Sequence, residues 1–125
     1  MDELFALDNG SLVLRLIQYL TQQTAVRLEF VSVIYQHDYW VVRIKNKPFC
    51  SRAQEKNMEA VLWELGEPLF PDTNLYQVLT ELQIGRSPVA IMQDYTLSIV
   101  SHGQPNELEV ELFRRNVSSK LGFHP

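Results

Sequence analysis

Apolar residues fall at positions 13, 16, 17 and 20, the spacing that lines one face of a helix. Leu12, Leu14 and Tyr19 widen that stripe, so the pattern predicts a helix buried on more than one side and ending near Gln23. The turn cluster Asp8-Asn9-Gly10-Ser11 precedes it, with Ser11 as the expected N-cap. Over 26–44 the pattern changes. Val, Ile, Phe, Tyr and Trp dominate, and Gln36-His37-Asp38-Tyr39 interrupts the run, as in a β-hairpin. Pairing Tyr35 with Trp40 sets Val33 opposite Val42 and Val31 opposite Ile44, so one face is wholly apolar. The other face holds Leu28, Phe30, Ile34, Tyr39 and Val41, broken by Ser32 and Arg43. Such a hairpin is either covered on both sides or leaves one face for a partner.

Pro48 blocks continuation of the second strand, so 45–49 reads as a loop. Ser51 and Gln54 have capping-box spacing, and Met58, Val61, Leu62 and Leu65 then form a helical stripe that stops at Gly66. Trp63 lies off that stripe. Residues 67–71 form a stiff apolar linker. Asp72 caps a further helix, carrying Leu75, Val78, Leu79 and Leu82 and ending at Gly85. Ser87-Pro88 suits a helix start, and 89–92 fits either a helical turn or a strand. Residues 95–100 and 107–113 both alternate, with the turn Gly103-Gln104-Pro105-Asn106 between them. They predict a second hairpin pairing Ile99 with Val110 and Leu97 with Leu112, apolar on one face only. A short helix over 114–121 closes the chain. The expected architecture is a single α+β domain over 1–125, in the order α-β-β-α-α-β-β-α, with two antiparallel hairpins packed against helices.

Composition narrows the function. The 125 residues are 46% hydrophobic and 21% charged, with net charge -4. Ordinary globular usage excludes a disordered or collagen-like chain. The negative sign disfavours nonspecific nucleic-acid binding, which draws most of its affinity from phosphate neutralisation. The apolar runs reach about four residues, far short of the ~20 that span a bilayer. The acidic start Met1-Asp2-Glu3 is unlike a secretory signal, and a single cysteine, Cys50, suits a reducing compartment. The expected location is cytoplasmic, without membrane partners.

The motifs that carry chemistry are mostly missing. The five glycines lie at least 18 residues apart, so no phosphate-cradling cluster exists. His37, His102 and His124 are scattered, no CxxC or HxxxH pair occurs, and no metal site or cofactor is expected. His37-Asp38 sits where a hairpin turn needs polar residues. Cys50, near Lys47 and Arg52 at a helix entry, reads as a semi-buried thiol rather than a nucleophile. Glu107, Glu109 and Glu111 would share one strand face, a solvated ridge lacking the divergent environments that acid–base catalysis requires. No catalytic residue is assigned.

Charge is segregated. Residues 43–56 carry a net +4, and residues 57–113 carry -8. The basic loop joins an aromatic hairpin to an amphipathic helix, and aromatics are enriched in interface centres. The sequence therefore predicts a non-enzymatic protein-interaction module, a small adaptor or assembly chaperone for a peptide segment or protein client. Its partner-binding residues are expected to be Tyr39, Trp40, Lys45, Lys47, Phe49, Arg52 and Trp63. The two apolar hairpin faces suggest a homodimer. Size and acidity are loosely similar to those of small bacterial chaperones that hold export or assembly clients. One alternative is a small enzyme with a site assembled between subunits. Another follows from the α-β-β-α-α-β order, which resembles a type II KH domain and would imply nucleic-acid binding through a Gly-X-X-Gly loop. Here that position reads Gly66-Glu67-Pro68-Leu69, acidic and without the second glycine, which makes nucleic acid an unfavoured partner.

Overall fold

The computed structural model describes residues 2–22, 28–47 and 51–121, with side chains as far as Val117. Its elements are β1 (Asp2–Leu7), α1 (Gly10–Gln22), β2 (Leu28–Gln36), β3 (Tyr39–Asn46), α2 (Arg52–Leu65), β4 (Glu67–Pro68), α3 (Thr73–Gln83), α4 (Pro88–Asp94), β5 (Ser98–Gly103) and α5 (Glu107–Leu121). The five strands form one antiparallel sheet in the order β4-β1-β3-β2-β5.

The central hairpin has the expected register, with Tyr35 opposite Trp40, Val33 opposite Val42 and Val31 opposite Ile44. Its turn places His37 and Asp38 at φ 50° and 65°. Two successive left-handed residues give the turn whose twist matches the strands on either side. Both faces are then covered from within the chain. On one, Val31, Val33, Trp40, Val42 and Ile44 pack against α1, α2 and Val110 of α5. On the other, Ile34, Val41 and Ile99 meet Leu75, Val78, Leu79 and Leu82 of α3 and Ile91 of α4. The apolar hairpin is the core of a three-layer α/β/α arrangement. It leaves no open face that calls for a second copy.

Local signals positioned the middle helices. Ser51 Oγ accepts from the Gln54 N–H at 3.2 Å, and Asp72 Oδ1 accepts from the Leu75 N–H at 2.8 Å. Helix α3 ends with the Gly85 N–H on Leu82 O and the Arg86 N–H on Glu81 O, and Gly85 has φ 96°. This is the Schellman arrangement that a glycine beyond the helix permits. At the end of α2, Gly66 serves packing instead. A Cβ there would lie 2.4 Å from Ala6 O of β1.

Three expectations need correction, and one open alternative is decided. Asn9 rather than Ser11 caps α1, since the Leu12 N–H bonds Asn9 Oδ1 at 3.0 Å. The N-terminal residues pair along the whole of β1 with β3, and Glu67-Pro68 of the linker pairs with β1 in turn. The stretch compared with a nucleic-acid-clamping loop is thus tied to a sheet edge. The second hairpin does not form. Residues 95–97 lie outside β5, which pairs with β2 instead, and 107–113 belong to α5. Asn106 starts that helix by accepting from the Glu109 N–H, and Glu111 binds Arg114 and Arg115 one turn on. These helical contacts, with Val110 buried against the α1 layer, outweigh the two-residue alternation. The ambiguous 89–92 segment is part of α4, capped by Ser87 with Pro88 in its first turn.

Candidate protein-interaction surface

Ser32 and His102 lie opposite each other on β2 and β5, with Ser32 Oγ 2.7 Å from His102 Nδ1. Ser32 is buried, so its hydroxyl is not offered to a substrate. The His102 ring lies against Phe30 at 5.0 Å, and the Arg43 guanidinium sits over the same Phe30 ring at 5.3 Å. Burial, and secondarily Arg43, lowers the pKa of His102. Arg43 donates to both carboxylate oxygens of Asp2 at 3.0 and 2.7 Å, to Leu79 O at 3.3 Å and to Gln83 Oε1 at 2.8 Å. Those bonds hold the Asp2 carboxyl below its usual range and fasten α3 to the sheet. Arg43 is therefore a structural clamp, not a free member of the basic segment.

A cleft of about 700 Å³ opens beside the hairpin turn, between Tyr35, Asp38, Tyr95 and Phe113. Tyr35 donates to Asp38 at 3.4 Å, and burial followed by the Asp38 charge raises the tyrosine pKa. His37 and Asp38 are exposed turn residues. Glu107, Glu109 and Glu111 do not form a ridge. The helix turns Glu111 to Arg114 and Arg115, while Glu107 accepts from Gln18 and Glu109 from Asn106. Among the described residues, no three His, Cys, Asp or Glu side chains converge as metal ligands.

The residues expected to bind a partner do not converge. Trp40 is 1% exposed, packed against Tyr35 at 5.2 Å and Phe113 at 5.5 Å, and is a core residue. Tyr39 is half-buried on the α3/α4 face, where its hydroxyl accepts from Gln36. Trp63, 63% exposed, stands on the opposite face with its ring 5.8 Å from Phe5. Lys45 lies at the far end of β3 from Tyr39, ~20 Å along the strand, and faces Asp2 in the neighbouring strand. Lys47 and Arg52 are exposed, and Arg52 precedes Trp63 by ~16 Å of helix. Phe49, like Cys50, lies outside the described residues. Aromatic and basic members thus occupy different faces and ends of the sheet.

A different surface has the composition of an interface. The exposed positions of α3 are Thr73, Asn74, Tyr76, Gln77, Thr80 and Gln83, none of them charged. Each other helix exposes at least one charged side chain, such as Arg15, Arg52, Asp94 or Glu107. At the two ends of α3 stand Phe70, 94% exposed, and Ile84, 77% exposed; Tyr76 on the helix itself is 62% exposed. Between residues 69 and 84 the only charged residues are Asp72 and Glu81, one occupied as a helix cap and the other paired with Arg86 at 2.6 Å. Beside this face runs a groove of about 390 Å³, walled by Leu4, Leu69, Pro71, Tyr76 and Thr80, with the Asp2–Arg43 ion pair also lining it. The signal was present in the sequence as a long charge-poor stretch. It escaped because helical periodicity accounts only for the buried stripe of α3.

The chain has no helix among its described residues long and apolar enough to cross a membrane. No family model and no curated protein matches this sequence. Among solved structures, the crystal structure of the C-terminal domain of YpbH is similar in fold. At 13% identity it superposes with a TM-score of 0.52, covering 92% of this chain and 97% of that one. That likeness speaks to architecture alone, so the α+β layering just described recurs in a second protein with almost none of its residues.

Proposed function

We propose that the chain is a non-enzymatic protein-interaction module, a small cytoplasmic adaptor or assembly chaperone that receives a protein segment on the exposed face of α3. The observation that carries this reading is the charge-free stripe of Tyr76, Gln77, Thr80 and Gln83, flanked by Phe70 and Ile84. Interface centres are depleted in charge and enriched in aromatic residues, and large exposed apolar side chains gathered on one face mark interaction sites. The groove beside Tyr76 supplies concavity, and its floor is held by Arg43. The complementary segment is apolar and amide-rich rather than acidic, because the basic residues Lys45, Lys47 and Arg52 lie away from α3.

Immobilised wild-type protein and the variants Phe70→Asp and Tyr76→Ala would be exposed to extract of the source cell, with captured proteins quantified by mass spectrometry. The reading expects a reproducible partner that both variants lose while their circular dichroism stays native. Capture unchanged in both, or lost only on Lys47→Glu or Arg52→Glu, would move the site away from α3.

A further inference from the structure

We infer that two copies of this chain associate through the exposed face of α2, antiparallel about a two-fold axis beside Ala60, the basic first half of each helix lying on the acidic end of the other. The contact lies across the sheet from α3 and is independent of what docks there.

Helix α2 carries its exposed charges against its own dipole. Arg52 and Lys56 stand in its first turns, Glu64 in its last and Glu67 just beyond, and the last turn holds no basic residue. A helix favours acids at its start and bases at its end, where they complement the macrodipole. Glu55, the acid of the first turn, is half-buried and lies ~140° around the helix from Ala60. Helix α5, by contrast, starts with Glu107 and Glu109. Arg43, Arg86, Arg114 and Arg115 all bond acids within the chain, whereas no ion pair among the described residues engages Arg52, Lys56, Glu64 or Glu67.

An antiparallel copy of α2 reverses this mismatch. A helix turns about 100° per residue, so Ala53, Lys56, Ala60 and Glu64 lie within ~40° of one direction, with Asn57 and Trp63 on its flanks. All six are exposed. The two-fold axis sets Lys56 level with Glu64 of the other copy and brings Arg52 toward the end that holds its Glu67. Alanine at the crossing admits a helix separation near ~8 Å, at which lysine and glutamate reach one another. Lys56 also falls on the same flank as Trp63 of the other copy, where its stem covers the exposed indole. Beside Trp63 a groove of about 520 Å³ is lined by Asp8, Glu64 and Glu67, with no basic side chain in its walls, and it receives the incoming cations.

This pattern selects the occupant. A two-fold contact requires a face complementary to itself when reversed. Arg52 and Lys56 at one end match Glu64 and Glu67 at the other, whereas a partner of a single charge sign matches only half of the face. A parallel copy would set like charge on like, so the direction is fixed as well.

The test uses the full chain in sedimentation velocity from micromolar to sub-millimolar concentration, with the variants Lys56→Glu and Glu64→Lys. Both positions are exposed and each substitution agrees with the macrodipole, so the monomer fold is retained and is checked by circular dichroism. Wild type is expected to dimerise with rising concentration. Each variant alone is expected to weaken the dimer at least about tenfold, because like charges then face each other across the axis. An equimolar mixture of the two is expected to dimerise again, since opposite charges meet in the mixed pair. Recovery on mixing is not produced by misfolding. Tyr76→Ala on α3 is expected to leave the dimer unchanged. A monomeric wild type, single variants that dimerise as wild type does, or a mixture that stays monomeric would each overturn the inference. Loss of the dimer on Tyr76→Ala but not on Lys56→Glu would place the contact on α3 and overturn it equally.

Discussion

Trp40 offers the sharpest test of how this fold is held together, since its sequence neighbourhood suggests a partner contact and the structure buries it. Truncation to alanine removes a ring packed between Tyr35, Phe113 and the start of α1, where a Cβ on Gly10 would come within 3.1 Å of the indole. A buried tryptophan withdraws ~200 Å² from water, worth about 5 kcal/mol at ~25 cal/mol per Å² as an upper bound. Alanine retains part of that area, while the two lost aromatic contacts and the remaining cavity act in the opposite direction. The expected cost is about 4 kcal/mol, within the range for such truncations. For a domain of this size that lowers Tm by roughly 15 °C. Trp63→Ala, which removes an exposed ring, is expected to cost less than about 1 kcal/mol. Urea denaturation of both variants measures the difference. Fluorescence of the Trp63→Phe protein isolates Trp40, whose emission should be blue-shifted and should move red on unfolding. A Trp40→Ala protein that melts within a few degrees of wild type would refute the packing described.

Gly66→Ala should destabilise by about 2 kcal/mol or more in the same urea assay, because its methyl group meets the Ala6 carbonyl, a backbone atom that cannot turn aside. Asp72→Ala should cost about 1 kcal/mol by leaving the Leu75 N–H without its cap, and Asp72→Asn should restore most of it. His102 has its pKa lowered on folding, so the unfolded chain binds more protons between the folded value and ~6.5. Its contribution is therefore complete above that window and is lost as pH falls through it. An NMR titration should show the His102 ring titrating below the free imidazole value, and His102→Asn should flatten the pH dependence of stability between pH 7 and 5.

The parts of the fold legible in the sequence are those whose causes are local. The register of the central hairpin follows from the two-residue alternation and its short turn. The boundaries of α2 and α3 follow from Ser51, Asp72, Gly66 and Gly85, whose effects act within one turn of chain. The segment 107–113 was misleading because Glu-Leu-Glu-Val-Glu-Leu-Phe alternates like a strand and also suits a helix. What decides between them is Val110 and Phe113 finding α1 and Trp40, together with Arg114 and Arg115 lying one turn beyond Glu111.

Of the candidate site, the sequence reading marked the aromatic and basic residues around 39–63 but not their positions in space, and it passed over the charge-poor stretch 69–84. Only the tertiary structure decided that Trp40 is core, that Arg43 is spent on Asp2 and α3, and that Tyr76, Thr80 and Ile84 face outward together. It also decided that β1 exists as the partner of β3, a pairing about forty residues away along the chain. The physical reason is the same in each case. Caps, turns and periodicity are set by neighbours in sequence, whereas burial of a side chain depends on which distant surface arrives to cover it. The hairpin, apolar on both faces, needed two covering layers, and the chain supplied both. Apolar residues that no distant element covers, Phe70 and Tyr76 among them, are indistinguishable by type from those that are covered until the fold assigns each its neighbours.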